Sequence, residues 1–213
     1  LIRLVPTLTG DEFGVIECRS RKTPNTDVIC GEVIAFGRDY GCPPERWCFD
    51  AGGGGKQHAD RLRGLKYNVQ TVAFGAKPSL ELKRGMTPLV ARKDMKEDQY
   101  VYLNMRAEMY HEFALALEGD GTSAKPPYAV PIDSPALVEL HRQMSLIPKA
   151  TNTWSMWDGE GRIRMLPKNK RQHNSEEQTL TEILGCSPDE LDACVLMYHA
   201  VTKKRIVSRV MVG

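Results

Sequence analysis

The sequence predicts an α/β fold, a mixed β-sheet flanked by α-helices, and three observations carry that expectation. A strand, a glycine turn, a helix and a second strand follow one another between Trp47 and Gly75. Two later segments place apolar residues at helical spacing, and a third opens on a capping signature and stays apolar along its length. The chain has 213 residues, 41% hydrophobic and 26% charged, the balance of a soluble globular protein and the size of a single domain over 1–213. Wholesale disorder is excluded on that composition. No apolar run approaches the roughly 20 residues of a membrane-spanning helix, and Leu1 to Pro6 lacks the pattern of a signal peptide. A net charge of +2 is too small to identify a polyanionic partner by itself.

The elements follow in order. Phe13 to Cys18 reads as a strand, and Asp27 to Phe36, rich in β-branched residues, as another. The turn Gly41-Cys42-Pro43-Pro44 precedes a short buried strand, Trp47-Cys48-Phe49, that ends at Asp50. Gly52 to Gly55 then lead into a helix through about Leu65, and Val69 to Phe74 alternates as a strand closed by Gly75. A strand–helix–strand unit requires its two strands to be parallel. Pro78 to Tyr100 is polar and poorly patterned, and reads as a long loop or hairpin insertion. Leu103, Ala107, Tyr110, Ala114 and Leu117 recur at helical spacing up to Gly119-Asp120-Gly121. Ser134 and Pro135 open another helix, carrying Leu137, Leu140 and Met144, and Arg162 to Leu166 alternates as a strand. In Ser187-Pro188-Asp189-Glu190, Ser as N-cap, Pro at the first helical position and Glu at the third make a capping box. The helix beyond, Leu191 to Tyr198, is apolar enough to be largely buried.

Two carboxylates stand out. Asp50 ends a buried strand beside glycines, and ligand sites in open α/β sheets gather at the carboxyl ends of strands. Asp192 lies in an apolar helix, where a lone carboxylate costs several kcal/mol to bury. It therefore needs a partner: a metal, a base or the helix N-terminus. The competing readings are a glycine-turn cap for Asp50 and dipole stabilisation for Asp192. The glycine run is no phosphate loop, since Asp50 stands where the first Gly belongs and Gln57 replaces the hydroxyl residue. Cys18, Cys30, Cys42, Cys48, Cys186 and Cys194 match no zinc spacing and read as reduced structural residues, with an intracellular origin. The histidines show no ligand spacing, and His58 reads as a helix-surface residue. Arg106 and Glu108 are candidates to orient substrate or to pair with each other; two apart on one helix they do not face each other, which favours a structural role. Arg162, Arg164, Lys168, Lys170 and Arg171 form a basic run without an acid among them, a candidate for salt-sensitive phosphate contacts with DNA or else a solvated charge run. Lys203, Lys204, Arg205 and Arg209 form a second.

Four segments in order carry a resemblance: Trp47 to Gly55 (WCFDAGGGG), Asp60 to Arg63 with Val69 to Gly75 (VQTVAFG), Asn104 to Tyr110 (NMRAEMY), and Ser187 to Ala193 (SPDELDA). Together they resemble the nuclease domain of phage terminase large subunits, over roughly residues 10 to 200. The resemblance implies a ribonuclease H-like fold with a mixed sheet of about five strands. It also implies a metal-dependent endodeoxyribonuclease that cuts concatemeric double-stranded viral DNA during genome packaging, in the host cytoplasm at the procapsid. The family's ATPase domain is absent, because no phosphate-loop motif is present, and that domain, the small terminase subunit and the portal are the implied partners, with no membrane. The family's acidic cluster takes one carboxylate from the first strand, one from a central strand and one from the C-terminal helix. Asp50 matches the second and Asp192 the third, with Asp189 a nearby metal or supporting contact. The first position departs from the pattern. Leu4 to Glu12 puts Val5 or Pro6 where the Asp belongs, and Asp11 aligns with a later acid, followed by Glu12. Either these two supply the missing metal ligand from the turn, or the site is weakened or inactive, which leaves a DNA- or portal-binding domain of the same fold. Two Mg²⁺ or Mn²⁺ ions roughly 3.5–4 Å apart would be held in the complete cluster, and a single ion in the reduced one.

Overall fold

The computed structural model describes residues 2–7, 10–15, 18–19, 22, 25–52, 54–79, 101–118, 128–129, 135–151, 156–170 and 177–202. The elements are β1 (Ile2–Thr7), β2 (Gly10–Val15), α1 (Thr26–Asp39), β3 (Cys48–Asp50), α2 (Gly55–Gly64) and β4 (Gln70–Val72), then α3 (Met105–Glu118), β5 (Tyr128–Ala129), α4 (Pro135–Thr151), β6 (Met156–Trp157), β7 (Ile163–Arg164), α5 (Leu180–Leu184) and α6 (Asp189–Thr202). The architecture is α/β, with helices dominating over short strands.

The unit from β3 through α2 to β4 forms as its turn chemistry requires. β3 and β4 are parallel, with Cys48 opposite Gln70 and Asp50 opposite Val72. Ala51 N–H continues the ladder to the Val72 carbonyl at 2.8 Å. Cys30 of α1, Trp47, Ala59 and Leu62 of α2 and Val69 close a small core over this unit. Trp47 stacks on Tyr67 with ring centroids 5.5 Å apart, and its indole N–H donates to the Cys42 carbonyl at 3.0 Å. The larger core gathers residues from α3, α4, α5, α6 and β7, with Tyr110, Phe113 and Leu191 fully enclosed. Fully burying a side chain of this class contributes about 1.5–3 kcal/mol. α6 is apolar on most sides and packs against α3, α4, β1 and β3, as an all-round hydrophobic helix must.

Three expectations are corrected. The segment 27–36 is helical, not a strand. Asn25 caps α1 by accepting from Val28 N–H at 3.0 Å, Asp27 and Arg38 complement the helix dipole, and Cys30, Val33, Ile34 and Gly37 recur at helical spacing on the packed side. Cap, charge and periodicity outweigh the weak strand preference of Val and Ile. The strand expected over 162–166 is reduced to Ile163–Arg164, paired antiparallel with β6. The capping box expected at Ser187 is not the one that forms. α6 begins at Asp189, and its Leu191 N–H donates to the side chain of buried Gln143 at 3.0 Å. Gln143 also donates to Glu190 at 2.7 Å and to Glu139 at 2.9 Å. A reciprocal capping box stands instead at Thr179 and Glu182, opening α5.

The described strands pair in three groups and not in one continuous sheet: β1–β2–β5, β3–β4 and β6–β7. The strands of the last two groups are only two or three residues long, and neighbouring backbone takes up adjacent ladder positions. Val101 and Leu103 bond to Ile163 along one edge of β7, while the Arg106 and Met105 N–H groups that start α3 are received by the Phe74 and Ala76 carbonyls beyond β4. Most of the predicted insertion, residues 80–100, lies outside the described residues, as do Gly119-Asp120-Gly121 and Ser134.

Candidate functional site

Asp50 sits where β3 ends and the glycine loop begins. Its Oδ1 accepts from the Gly52 N–H at 3.0 Å, its one hydrogen bond among the described residues. Gly54 has φ +97, and a Cβ on Gly55 would stand 2.0 Å from the Asp50 carbonyl oxygen. The glycines therefore let α2 start directly against the aspartate backbone, a packing no side chain at Gly55 permits. Burial, reinforced by the Asp50 charge, pushes the neighbouring Cys48 thiol up to about 12, so it stays protonated.

Asp192 is buried in the first turn of α6 and has found its base. Oδ1 accepts from Arg106 Nη2 at 2.7 Å and from the Tyr110 hydroxyl; Oδ2 accepts from Lys168 Nζ at 3.1 Å. Arg106 and Tyr110 are one turn apart on α3 and present one face to the carboxylate. The Arg106 guanidinium also lies 5.2 Å from the Phe74 ring centroid and 5.3 Å from that of Tyr110. Burial, then the Asp192 charge, raises the Tyr110 phenol well above its ordinary value, so it serves as a donor. Burial works against the charge on Lys168, but Asp192 and Asp189 outweigh it and raise the ammonium above its ordinary value. Asp189 receives Lys168 Nζ at 3.0 Å and the Ser187 hydroxyl. These donors overcome the effect of its partial burial and hold its carboxyl below the usual range.

Of the residues singled out in sequence, Arg106, Asp189, Asp192 and Lys168 therefore meet in one network. Asp50 makes no hydrogen bond to it among the described residues, although α6 packs against β3. Asp11 and Glu12 lie within strand β2 and not in a turn, paired with Pro6 and Val5 of β1; their side chains lie outside the described residues. The basic run is compensated by acids brought in by folding. Arg162 pairs with Asp158 at 2.8 Å and Glu160 at 2.9 Å, Arg164 with Glu177 at 2.5 Å, and Lys170 with Glu182 at 2.9 Å. Arg171 and the cluster 203–209 lie outside the described residues. Glu108 accepts from Ser79 N–H at 2.6 Å while Arg106 reaches Asp192, so the two face apart as their spacing requires. Tyr110 reads in sequence as a core position of its helix and not as a site residue, and Gln143 is not singled out. The four-residue offset from Arg106 to Tyr110 was the available signal for the first; Gln143 carried none.

Hard carboxylate oxygens suit Mg²⁺ or Mn²⁺. Asp189 Oδ1 and Asp192 Oδ2 converge on a single cation position, that of the Lys168 ammonium. That donor set fits one ion in exchange for the ammonium, and not a pair. Among the described residues no three His, Cys, Asp or Glu side chains gather into a metal-holding group. All six cysteines are free, and among the described residues no helix is long and apolar enough to cross a membrane. No protein-family model, no curated protein and no solved structure matches the chain.

Proposed function

We propose that the chain is a ribonuclease H-like nuclease domain of the terminase large-subunit type, a metal-dependent endonuclease acting on concatemeric double-stranded DNA in the host cytoplasm. The ATPase domain, the small terminase subunit and the portal are its partners in that reading. The observation that carries it is the position of Arg106. Its backbone N–H donates to the Phe74 carbonyl at 2.9 Å and its guanidinium to Asp192 at 2.7 Å. One residue of the N-x-R-A-E helix thus ties together two of the other three motif-bearing stretches. α6, which carries Asp192, also lies against both β1 and β3, the elements that correspond to the family's other two acidic strands.

In this reading Asp192, with Asp189 beside it, and Asp50 are the carboxylates that hold Mg²⁺ or Mn²⁺. A bound divalent ion supplies Lewis acidity and lowers the pKa of water at the phosphodiester. Arg106 and Tyr110 orient Asp192, since both hydrogen-bond its Oδ1. Lys168 and Lys170 of the basic run contact DNA phosphates in this reading.

A second reading, a cleavage-deficient DNA- or portal-binding domain of the same fold, is favoured by one observation: both oxygens of Asp192 are taken by protein donors. Plasmid nicking in Mn²⁺ separates the two. The nuclease reading expects cutting that Asp50→Asn and Asp192→Asn abolish in folded protein. Retardation of DNA in a gel with no cutting selects the binding domain, and equal cutting by both variants removes the site assignment.

A further inference from the structure

The two oxygens of Asp192 are held in unequal ways. Oδ1 is committed to Arg106, whose side chain is 12% exposed, and to the fully buried Tyr110. Oδ2 is held by Lys168, whose side chain is 32% exposed. The backbone at Lys168 does not share that freedom. Its carbonyl accepts from Thr181 N–H at 3.1 Å and from the Thr181 hydroxyl at 2.7 Å, and the Pro167 carbonyl accepts from Leu180 N–H at 2.9 Å. The first turn of α5 therefore fixes the chain at 167–168, and only the four-carbon side chain has to move for the ammonium to leave. Asp189, one turn earlier on α6 and with a side chain 70% exposed, opens the same position to solvent.

We propose that Lys168 is a displaceable internal counter-cation: a divalent ion at Asp189 and Asp192 expels its ammonium, which then becomes available to a DNA phosphate. This rests on the nuclease reading above. An ammonium and a divalent ion cannot share the two oxygens, because they repel each other at contact distance. Displacement restores to the basic run a cation that folding had neutralised, so ion binding and DNA binding strengthen each other by the same factor. The exchange breaks and forms ionic contacts only.

The test is titration calorimetry of the full chain with Mn²⁺. Lys168→Met and Lys168→Gln both bind the ion about fivefold more tightly than the unaltered chain, the factor that loss of a competing partly exposed ion pair supplies. Lys170→Met removes the same charge two residues away, where its partner is Glu182, and leaves Mn²⁺ affinity unchanged. With Ca²⁺ present, the slope of log K against log salt for duplex DNA steepens by about 0.9 in the unaltered chain, one further phosphate contact, and does not change in Lys168→Met. Equal Mn²⁺ affinity in all chains, a matching gain in Lys170→Met, or a salt slope indifferent to Ca²⁺ overturns the latch. If the unaltered chain still nicks plasmid in Mn²⁺, the nuclease reading survives that failure; if no chain binds Mn²⁺ and none cuts, both fall.

Discussion

Replacing Arg106 by Met removes one member of a buried ion pair while keeping most of its length and apolar contact. The side chains of Arg106 and Asp192 are 12% and 11% exposed, with nitrogen and oxygen 2.7 Å apart. Breaking a buried pair from one side costs about 3–5 kcal/mol, because the remaining charge is left without compensation. Asp192 keeps Tyr110 and Lys168, which places the loss at the lower end, about 3 kcal/mol. For a chain of this size that corresponds to a drop in Tm of roughly 6–12 °C. The double variant Arg106→Met/Asp192→Asn removes both charges and leaves Tyr110 facing an amide, so it loses less than the single variant, about 1 kcal/mol. Urea unfolding followed by tryptophan fluorescence measures both, and the double-mutant cycle, completed with Asp192→Asn alone, isolates a coupling of at least about 2 kcal/mol. A loss below about 1 kcal/mol in Arg106→Met, or a double variant less stable than the sum of the singles, refutes the buried-clamp account.

Gly55→Ala forces a Cβ to within 2.0 Å of the Asp50 carbonyl oxygen, whereas a Cβ on Gly64 meets nothing within 4 Å. The first substitution therefore destabilises by about 1–3 kcal/mol and the second is neutral or stabilises by about 0.5 kcal/mol; equal unfolding midpoints for the two remove the close-approach argument. Glu139 is held down at about 2, against an ordinary value of 4.5, chiefly by its hydrogen bond from Arg142, an effect that outweighs its burial. A depressed carboxylate contributes stability above its unfolded-state pKa and loses it as pH falls toward the folded one. Stability accordingly declines between pH 4.5 and about 2 in the unaltered chain and less steeply in Glu139→Gln; identical slopes of urea midpoint against pH refute that assignment.

The unit from Trp47 to Gly75 was legible because its signals are local: an apolar triplet, a glycine run that permits close approach, a short helix and an alternating strand. The segment 27–36 was misread because β-branched residues speak for strand in composition, while the decisive cap, Asn25, lies just outside the run. At Ser187-Pro188-Asp189-Glu190 the local capping pattern was present, yet the Ser187 hydroxyl donates to Asp189, and Gln143, 48 residues upstream, receives the Leu191 N–H. That buried amide also donates to Glu139 and Glu190, so the start of α6 is held by a residue of α4.

The need of Asp192 for a partner followed from sequence alone, since an apolar helix offers a carboxylate no solvation. Which partner it takes was decided by the tertiary structure, through Arg106, 86 residues away, and Lys168, 24 residues away. The same division holds for the basic run at 162–171, whose local excess of positive charge is read directly from the residues. Its neutralisation by Glu177, Glu182, Asp189 and Asp192 is not. Periodicity and capping record which face of an element is buried, because those forces act within a few residues of chain. Electrostatic pairing depends on distance through space, and only the packing of α3 and α4 against α6, and of α5 against α4, sets that distance.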